Sequence, residues 1–186
     1  QETQLAFDYT VLEMALMGRY PHLHTFEVEG PNDLAIARRA LESTGTGDLE
    51  SRAFNTLSGG EKQRVVIAAA LAQFGSPGHS TGATEALLLD EPTASLDIAY
   101  QLEIRSILVE LNKSRGLTVV ISTHDLNMAA GLCHDLILLD RGCVLAAGRT
   151  PSVLNRPLIQ QLYGVDVDIS NHPRTGRINV VPVARA

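Results

Sequence analysis

Tryptophan is absent from the 186 residues, and aromatic side chains make up only 4% of them. A chain so poor in π-faces offers no platform on which bases could stack, which argues against a reader of nucleic acid. Cysteine is nearly absent too. Cys133 and Cys143 stand without a second pair and without metal-ligand spacing around them, so a reducing, cytosolic setting is expected rather than a disulfide scaffold or a zinc module. Long apolar runs are missing: the longest uninterrupted one, Val65 to Ala72, falls far short of a bilayer span. No block of five like charges occurs, and the net charge of −6 excludes a globally polyanion-binding surface. Nothing at the N-terminus resembles a signal peptide, and the chain opens on Gln1 rather than Met, from which an N-terminally shortened chain is expected.

What is present suits one substantial core. Hydrophobic residues make up 45% of the chain, enough for a single domain with a subdomain. Thr10-Val11-Leu12-Glu13 has the form of a capping box and opens a helix that is apolar nearly all round, through Gly18. Tyr20-Pro21 breaks it. A second helix is expected from about Asn32 or Asp33 to Ser43, stopped by Gly45 and Gly47. Ile67, Ala70, Leu71 and Phe74 mark one stripe of a third. Gly75 to Thr84 reads as a surface loop rich in turn residues. Ala86–Leu89 and Leu117–Ile121 read as short buried strands, separated by an amphipathic helix carrying Ile104, Ile107, Leu108 and Leu111 and ended by Gly116. Leu136–Leu139 and Cys143–Ala147 flank Asp140-Arg141-Gly142 as the arms of a hairpin. Apolar strands alternating with helices imply an α/β fold with a mostly parallel sheet, helices on its faces and an antiparallel hairpin at its edge.

Three places carry chemistry. A buried strand ending in Asp90-Glu91 delivers two carboxylates at its C-terminal edge, where open α/β sheets bind their ligands. Such a pair suits a hard cation and an oriented water, although an acidic turn after a strand would look the same in isolation. Ser58-Gly59-Gly60 sits at the entry of a helix, where unpaired amides and the helix dipole favour an anion; a plain N-cap with two glycines is the bland alternative. His124 emerges after the second strand, at the same sheet edge as Asp90 and Glu91. His22, His24, His79, His134 and His172 lack such support and read as surface or packing residues.

Leu57-Ser58-Gly59-Gly60-Glu61-Lys62-Gln63-Arg64, then Leu87-Leu88-Leu89-Asp90-Glu91-Pro92, Thr93-Ala94-Ser95-Leu96-Asp97 and Ser122-Thr123-His124-Asp125, resemble in order and spacing the ATP-binding-cassette (ABC) transporter ATPases. The resemblance implies the P-loop NTPase fold with an inserted helical subdomain, ATP and Mg²⁺ as ligands, and a head-to-tail homodimer. In the signature, Ser58, Gly59, Gly60 and Gln63 would meet the γ-phosphate held by the other subunit. Asp90 would serve the metal, Glu91 would polarise the attacking water, and Asp97 would belong to the loop crossing the dimer interface. His124 would be the switch histidine, and Gln1 would ligate the Mg²⁺ or the attacking water. No Gly-x-x-x-x-Gly-Lys-Ser/Thr loop occurs in these residues. The N-terminal strands and Walker A loop are therefore expected to be missing, and this chain alone is expected to be inactive.

Met17-Gly18-Arg19-Tyr20-Pro21, His124-Asp125-Leu126-Asn127 and Leu162-Tyr163-Gly164-Val165 resemble more closely the ATPases of iron-siderophore, haem and cobalamin importers. They imply a subunit at the cytoplasmic face of the inner membrane. Its partners would be integral-membrane permeases and, indirectly, a periplasmic solute-binding protein; nucleic acid would not be one. On this reading residues 1–57 hold the Q-loop and a permease-facing helical subdomain, with Val11–Gly18 and its Met14 and Met17 as the candidate contact or, equally, as ordinary subdomain core, and residues 58–186 hold the rest of the core. An ABC ATPase acting on DNA or ribosomes, or an inert permease-docking fragment, are the alternatives.

Overall fold

The computed structural model describes residues 8–74, 85–94 and 96–185. Gln1, the Gly75–Thr84 loop and Ser95 therefore lie outside the described residues. The chain divides into two compact units, Gln1–Ser122 and Thr123–Ala186. The boundary expected at residue 57 falls inside the first.

The first unit begins with helix α1, Val11–Leu16. Thr10 Oγ1 accepts from the Glu13 amide while the Glu13 carboxylate accepts from the Thr10 amide, so the expected capping box forms. The chain does not stop at Pro21 but tightens into a 3₁₀ turn over Met17–His22. Pro21 lies near the end of that turn, and the missing proline amide keeps the helix from running on. Helix α2, Pro31–Ser43, starts on the Gly30 cap with proline in its first turn. It ends where Thr44 and Thr46, both buried, turn their hydroxyls onto the Leu41 carbonyl. Helix α3 spans Gly59–Ala72. The three helices pack on one another and bury Val11, Ala15, Ala37, Leu41, Val65, Ile67 and Leu71. Each large aliphatic side chain among them is worth about 1.5–3 kcal/mol relative to exposure.

Strand β1, Ala86–Asp90, pairs in parallel with β2, Thr118–Ser122, in the register Asp90↔Ser122. Between them runs helix α4, Ile98–Arg115, ended by Gly116 at φ 65°. The left-handed cap suits glycine, as its place in the sequence implied. Helix α4 packs on β2 and buries Ile104, Leu108 and Leu111. The two strands are less enclosed than their apolar runs suggest. Leu87 is buried, but its neighbour Leu88 is 73% exposed and Val120 is 51% exposed. Successive strand residues face opposite ways, so among the described residues only one face of this pair is covered.

The second unit holds helix α5, Leu126–Leu132, and the hairpin of β3, Asp135–Asp140, with β4, Cys143–Arg149. Its turn is the dipeptide Arg141-Gly142, both at positive φ, which matches the right-handed twist of the arms. Short helices α6, Thr150–Val153, and α7, Arg156–Tyr163, lead to a second hairpin of β5, Val165–Asn171, with β6, Ile178–Arg185. Leu154, Ile159, Val167 and Val180 form the core of this unit, with Leu126, Leu136 and Ile169 against it. Cys133 is half-buried and Cys143 exposed; burial pushes the Cys133 thiol upward.

Candidate functional site

In the first unit, the sheet edge gathers the two acids the sequence singled out. Asp90 closes β1 and is exposed, so its carboxylate stands at the carboxyl end of the strand pair. The Ser122 hydroxyl donates to Asp90 Oδ1 at 2.6 Å. Glu91 follows with φ 46°, a left-handed conformation that a non-glycine residue adopts at a cost of about 1–2 kcal/mol. Two backbone bonds hold it there: the Glu91 amide donates to the Ser122 carbonyl at 2.9 Å, and the Ala94 amide donates to the Glu91 carbonyl at 3.0 Å. Backbone strain persists where surroundings over-determine it, which is common at working sites.

The segment after Glu91 is tied to helix α4. Gln101 Nε2 donates to the carbonyls of Leu96, at 3.1 Å, and Thr93, at 3.5 Å. The Asp97 carboxylate accepts from the Tyr100 amide at 3.1 Å. Asp97 is thus the N-cap of α4, as its position before Ile98 implied.

Ser58 caps helix α3 through a second capping box. Its hydroxyl accepts from the Glu61 amide at 3.4 Å, and the Glu61 carboxylate accepts from the Ser58 amide at 2.7 Å. The backbone bond from Ser58 is the main cause holding the Glu61 carboxyl below its ordinary range; the Ser58 hydroxyl, Arg52 and Arg64 add to it, against slight desolvation. By position in the first turn, Gly59 and Gly60 present amides that have no acceptor within the helix. Gly60 has a further reason to be glycine. A Cβ there would lie 2.3 Å from the Tyr100 ring of α4. The sequence reading gave both glycines to ligand approach; the close packing of α3 on α4 demands one of them regardless. Gln63 sits on α3, half-buried, one turn beyond Ser58. Arg64 on the same helix pairs with Glu103 of α4.

His124 lies in the second unit, two residues after Ser122 in the chain and exposed, just ahead of the Asp125 cap of α5. The Asp125 carboxylate accepts from the Asn127 and Met128 amides, each at 2.9 Å.

A divalent cation fits these donors. Asp90 and Glu91 are hard oxygen ligands adjacent in the chain, and Ser122 engages one oxygen of Asp90. Among the described residues no cluster of three or more His, Cys, Asp or Glu could cage a metal unaided. Mg²⁺ is commonly held by one or two carboxylates together with substrate phosphates, so this acid pair suits it.

Comparison with known proteins identifies the family. Residues 17–129 match a family model described as "AAA domain, putative AbiEii toxin, Type IV TA system". That span contains Ser58, Asp90, Glu91 and His124. The chain is 42% identical over 168 residues to the Iron(3+)-hydroxamate import ATP-binding protein FhuC of Bacillus subtilis, covering 90% of this chain and 59% of that protein. It is 40% identical to the Hemin import ATP-binding protein HmuV of Myxococcus xanthus, over 100% of this chain and 68% of that protein. The chain belongs to the ATP-binding subunits of ABC importers. Among solved structures, "An inward-facing conformation of a putative metal-chelate type ABC transporter" superposes with a TM-score of 0.86 at 30% identity, covering 99% of this chain and 70% of that one. The expected ABC cassette fold is therefore borne out, and so is the expected kinship with chelate importers. This ABC subunit spans about three-fifths of FhuC and two-thirds of HmuV.

Proposed function

We propose that this ABC subunit belongs to an ATPase that energises import of a metal chelate of the iron-siderophore, haem or cobalamin kind. The observation that carries the reading is the strained, hydrogen-bonded presentation of Asp90 and Glu91 at the end of β1. Asp90 would hold Mg²⁺, which when bound draws charge off the β- and γ-phosphates during transfer. Glu91 orients a water and takes its proton, with His124 and Gln1 contributing from the same motif set. Ser58, Gly59, Gly60 and Gln63 receive the γ-phosphate of a second copy, whose charge the α3 N-terminus favours. Asp97 and its loop lie between the copies. The ATPase sits at the cytoplasmic face of the membrane against its permeases, with a solute-binding protein on the far side. No described helix is long and apolar enough to cross a membrane.

The test of the paired arrangement is Ser58→Arg in the full gene product. A bulky cation in the anion site is expected to abolish ATP-driven dimerisation, read by size exclusion with light scattering. Ser58→Ala removes only the N-cap, worth about 0.5–2 kcal/mol, and should still dimerise. Normal dimers from Ser58→Arg would sink the model.

We place permease contact beside, rather than on, the Val11–Gly18 helix that the sequence suggested. Val11, Ala15, Leu16 and Gly18 are buried, against the other helices of the first unit. A Cβ on Gly18 would fall 2.0 Å from the Ala69 carbonyl oxygen of α3. That helix is core. The neighbouring segment offers a better surface: Phe26 is 100% exposed and Val28 77%. Phe26 takes φ 67° within a turn closed by Glu27 N–H to the His24 carbonyl and His24 N–H to the Glu27 carboxylate. Acids surround it. Burial raises the nearby Tyr20 phenol, and the charges of Glu29 and Glu13 raise it further. An aromatic knob among acids fits a basic loop, and basic loops are what membrane proteins carry on the cytoplasmic side. Phe26→Asp is expected to keep basal ATP turnover and lose its stimulation by the permease in proteoliposomes. Full stimulation would place the contact elsewhere.

A further inference from the structure

We infer that Ser122 is a positioning residue for the acid pair, setting the side chain of Asp90 and the backbone of Glu91 at once. The inference rests on the reading of those acids given above and adds a residue to the site. Asp90 and Ser122 are register partners on parallel strands, so their side chains leave the sheet on the same face. The hydroxyl of Ser122 reaches Asp90 Oδ1 at 2.6 Å, within the short range of a charge-assisted hydrogen bond. One residue later, the Ser122 carbonyl receives the Glu91 amide at 2.9 Å. One residue thus grips two neighbours by two different groups.

The consequences for each acid differ. An exposed carboxylate at a strand end has several rotamers of similar energy, and each wrong one turns its oxygens away from a ligand. The hydroxyl bond selects one rotamer and engages Oδ1, which leaves Oδ2 outside that bond. For Glu91 the grip is on the main chain. Its left-handed φ of 46° bends the chain sharply at the strand end, and the amide bond to Ser122 anchors the start of that bend. Hydrogen bonds to ligating carboxylates typically change metal affinity about 10–100-fold when lost.

The two grips separate experimentally, because substitution removes the hydroxyl and leaves the carbonyl. Mn²⁺ binding in the presence of ATP, read by electron paramagnetic resonance on the full gene product, supplies a signal independent of turnover. Ser122→Ala is expected to weaken Mn²⁺ binding about 10-fold or more, with ATP binding in EDTA and the melting temperature close to wild type. Ser122→Thr, which keeps the hydroxyl, should restore the wild-type affinity. Ser122→Cys, similar in shape but a weak donor, should share the alanine defect, and stands in if the alanine variant is poorly folded. Wild-type affinity in both Ser122→Ala and Ser122→Cys would overturn the positioning role alone. Failure of the wild type itself to bind Mn²⁺ with ATP would overturn the assignment of Asp90, and this inference with it.

Discussion

Glu91→Gln in the full gene product is expected to lower ATP turnover by about 10²–10⁴-fold while ATP binding persists. The amide is nearly isosteric with the carboxylate but cannot accept the proton of an attacking water, so chemistry stalls with the nucleotide in place. ATP-bound dimers should accumulate, visible as a shift to the dimer in size exclusion with ATP and not with ADP. The backbone at this position argues that the effect will be chemical rather than structural. Glu91 holds its left-handed φ through main-chain bonds to Ser122 and Ala94, and both survive the substitution. Turnover equal to wild type would remove Glu91 from the role of base.

Arg19→Ala is expected to destabilise the first unit by about 1–3 kcal/mol, the cost of leaving the half-buried Asp33 carboxylate and the Ala72 carbonyl without their donor. Arg19 is only 5% exposed. Its Nε donates to Asp33 Oδ1 at 2.9 Å, and Nη1 donates to the Ala72 carbonyl at 2.7 Å. One guanidinium thereby joins the 3₁₀ turn to the start of α2 and the end of α3. Beside it, His22 Nε2 lies 2.6 Å from the Gln73 carbonyl, tying the same two segments. The Arg19 bond is the main cause holding the Asp33 carboxyl below its ordinary range, with the Gly30 amide next. Arg19→Lys should recover little, since an ammonium cannot fork between two acceptors in this way. Urea denaturation gives the magnitude. The Arg19→Ala, Asp33→Ala double variant should lose less than the two single changes added together. Additive losses would mean that the pair is not a unit.

Local features were legible in the sequence because their physics is local. The capping box at Thr10, the N-caps at Ser58 and Asp97 and the Gly116 stop each depend on residues within one turn, and all four form; that Glu61 completes a second box at Ser58 went unread. The first hairpin followed from its turn residues, with each arm two residues longer than the apolar runs indicated. The acid pair was legible as a motif. What could not be read lies across the fold. For Arg19, nothing nearby in sequence says that Asp33 and the end of α3 converge on it. Gly60 is required by Tyr100, a residue forty positions away. Ser122 became visible only once strand register set it beside Asp90. The apolar runs of β1 and β2 implied burial on both faces, whereas Leu88 and Val120 are exposed, because hydropathy alone reports that a face is apolar and not what covers it.

The unequal settings of the two cysteines have a practical consequence. Cys143, beside the hairpin turn, is open to solvent, while enclosure holds Cys133 in its protonated and poorly nucleophilic form. A maleimide dye at mildly acidic pH should therefore attach at Cys143 alone, far along the chain from Ser58, Asp90 and Glu91. The chain carries its own address for a fluorophore, so nucleotide-driven association can be followed by energy transfer without introducing a new cysteine.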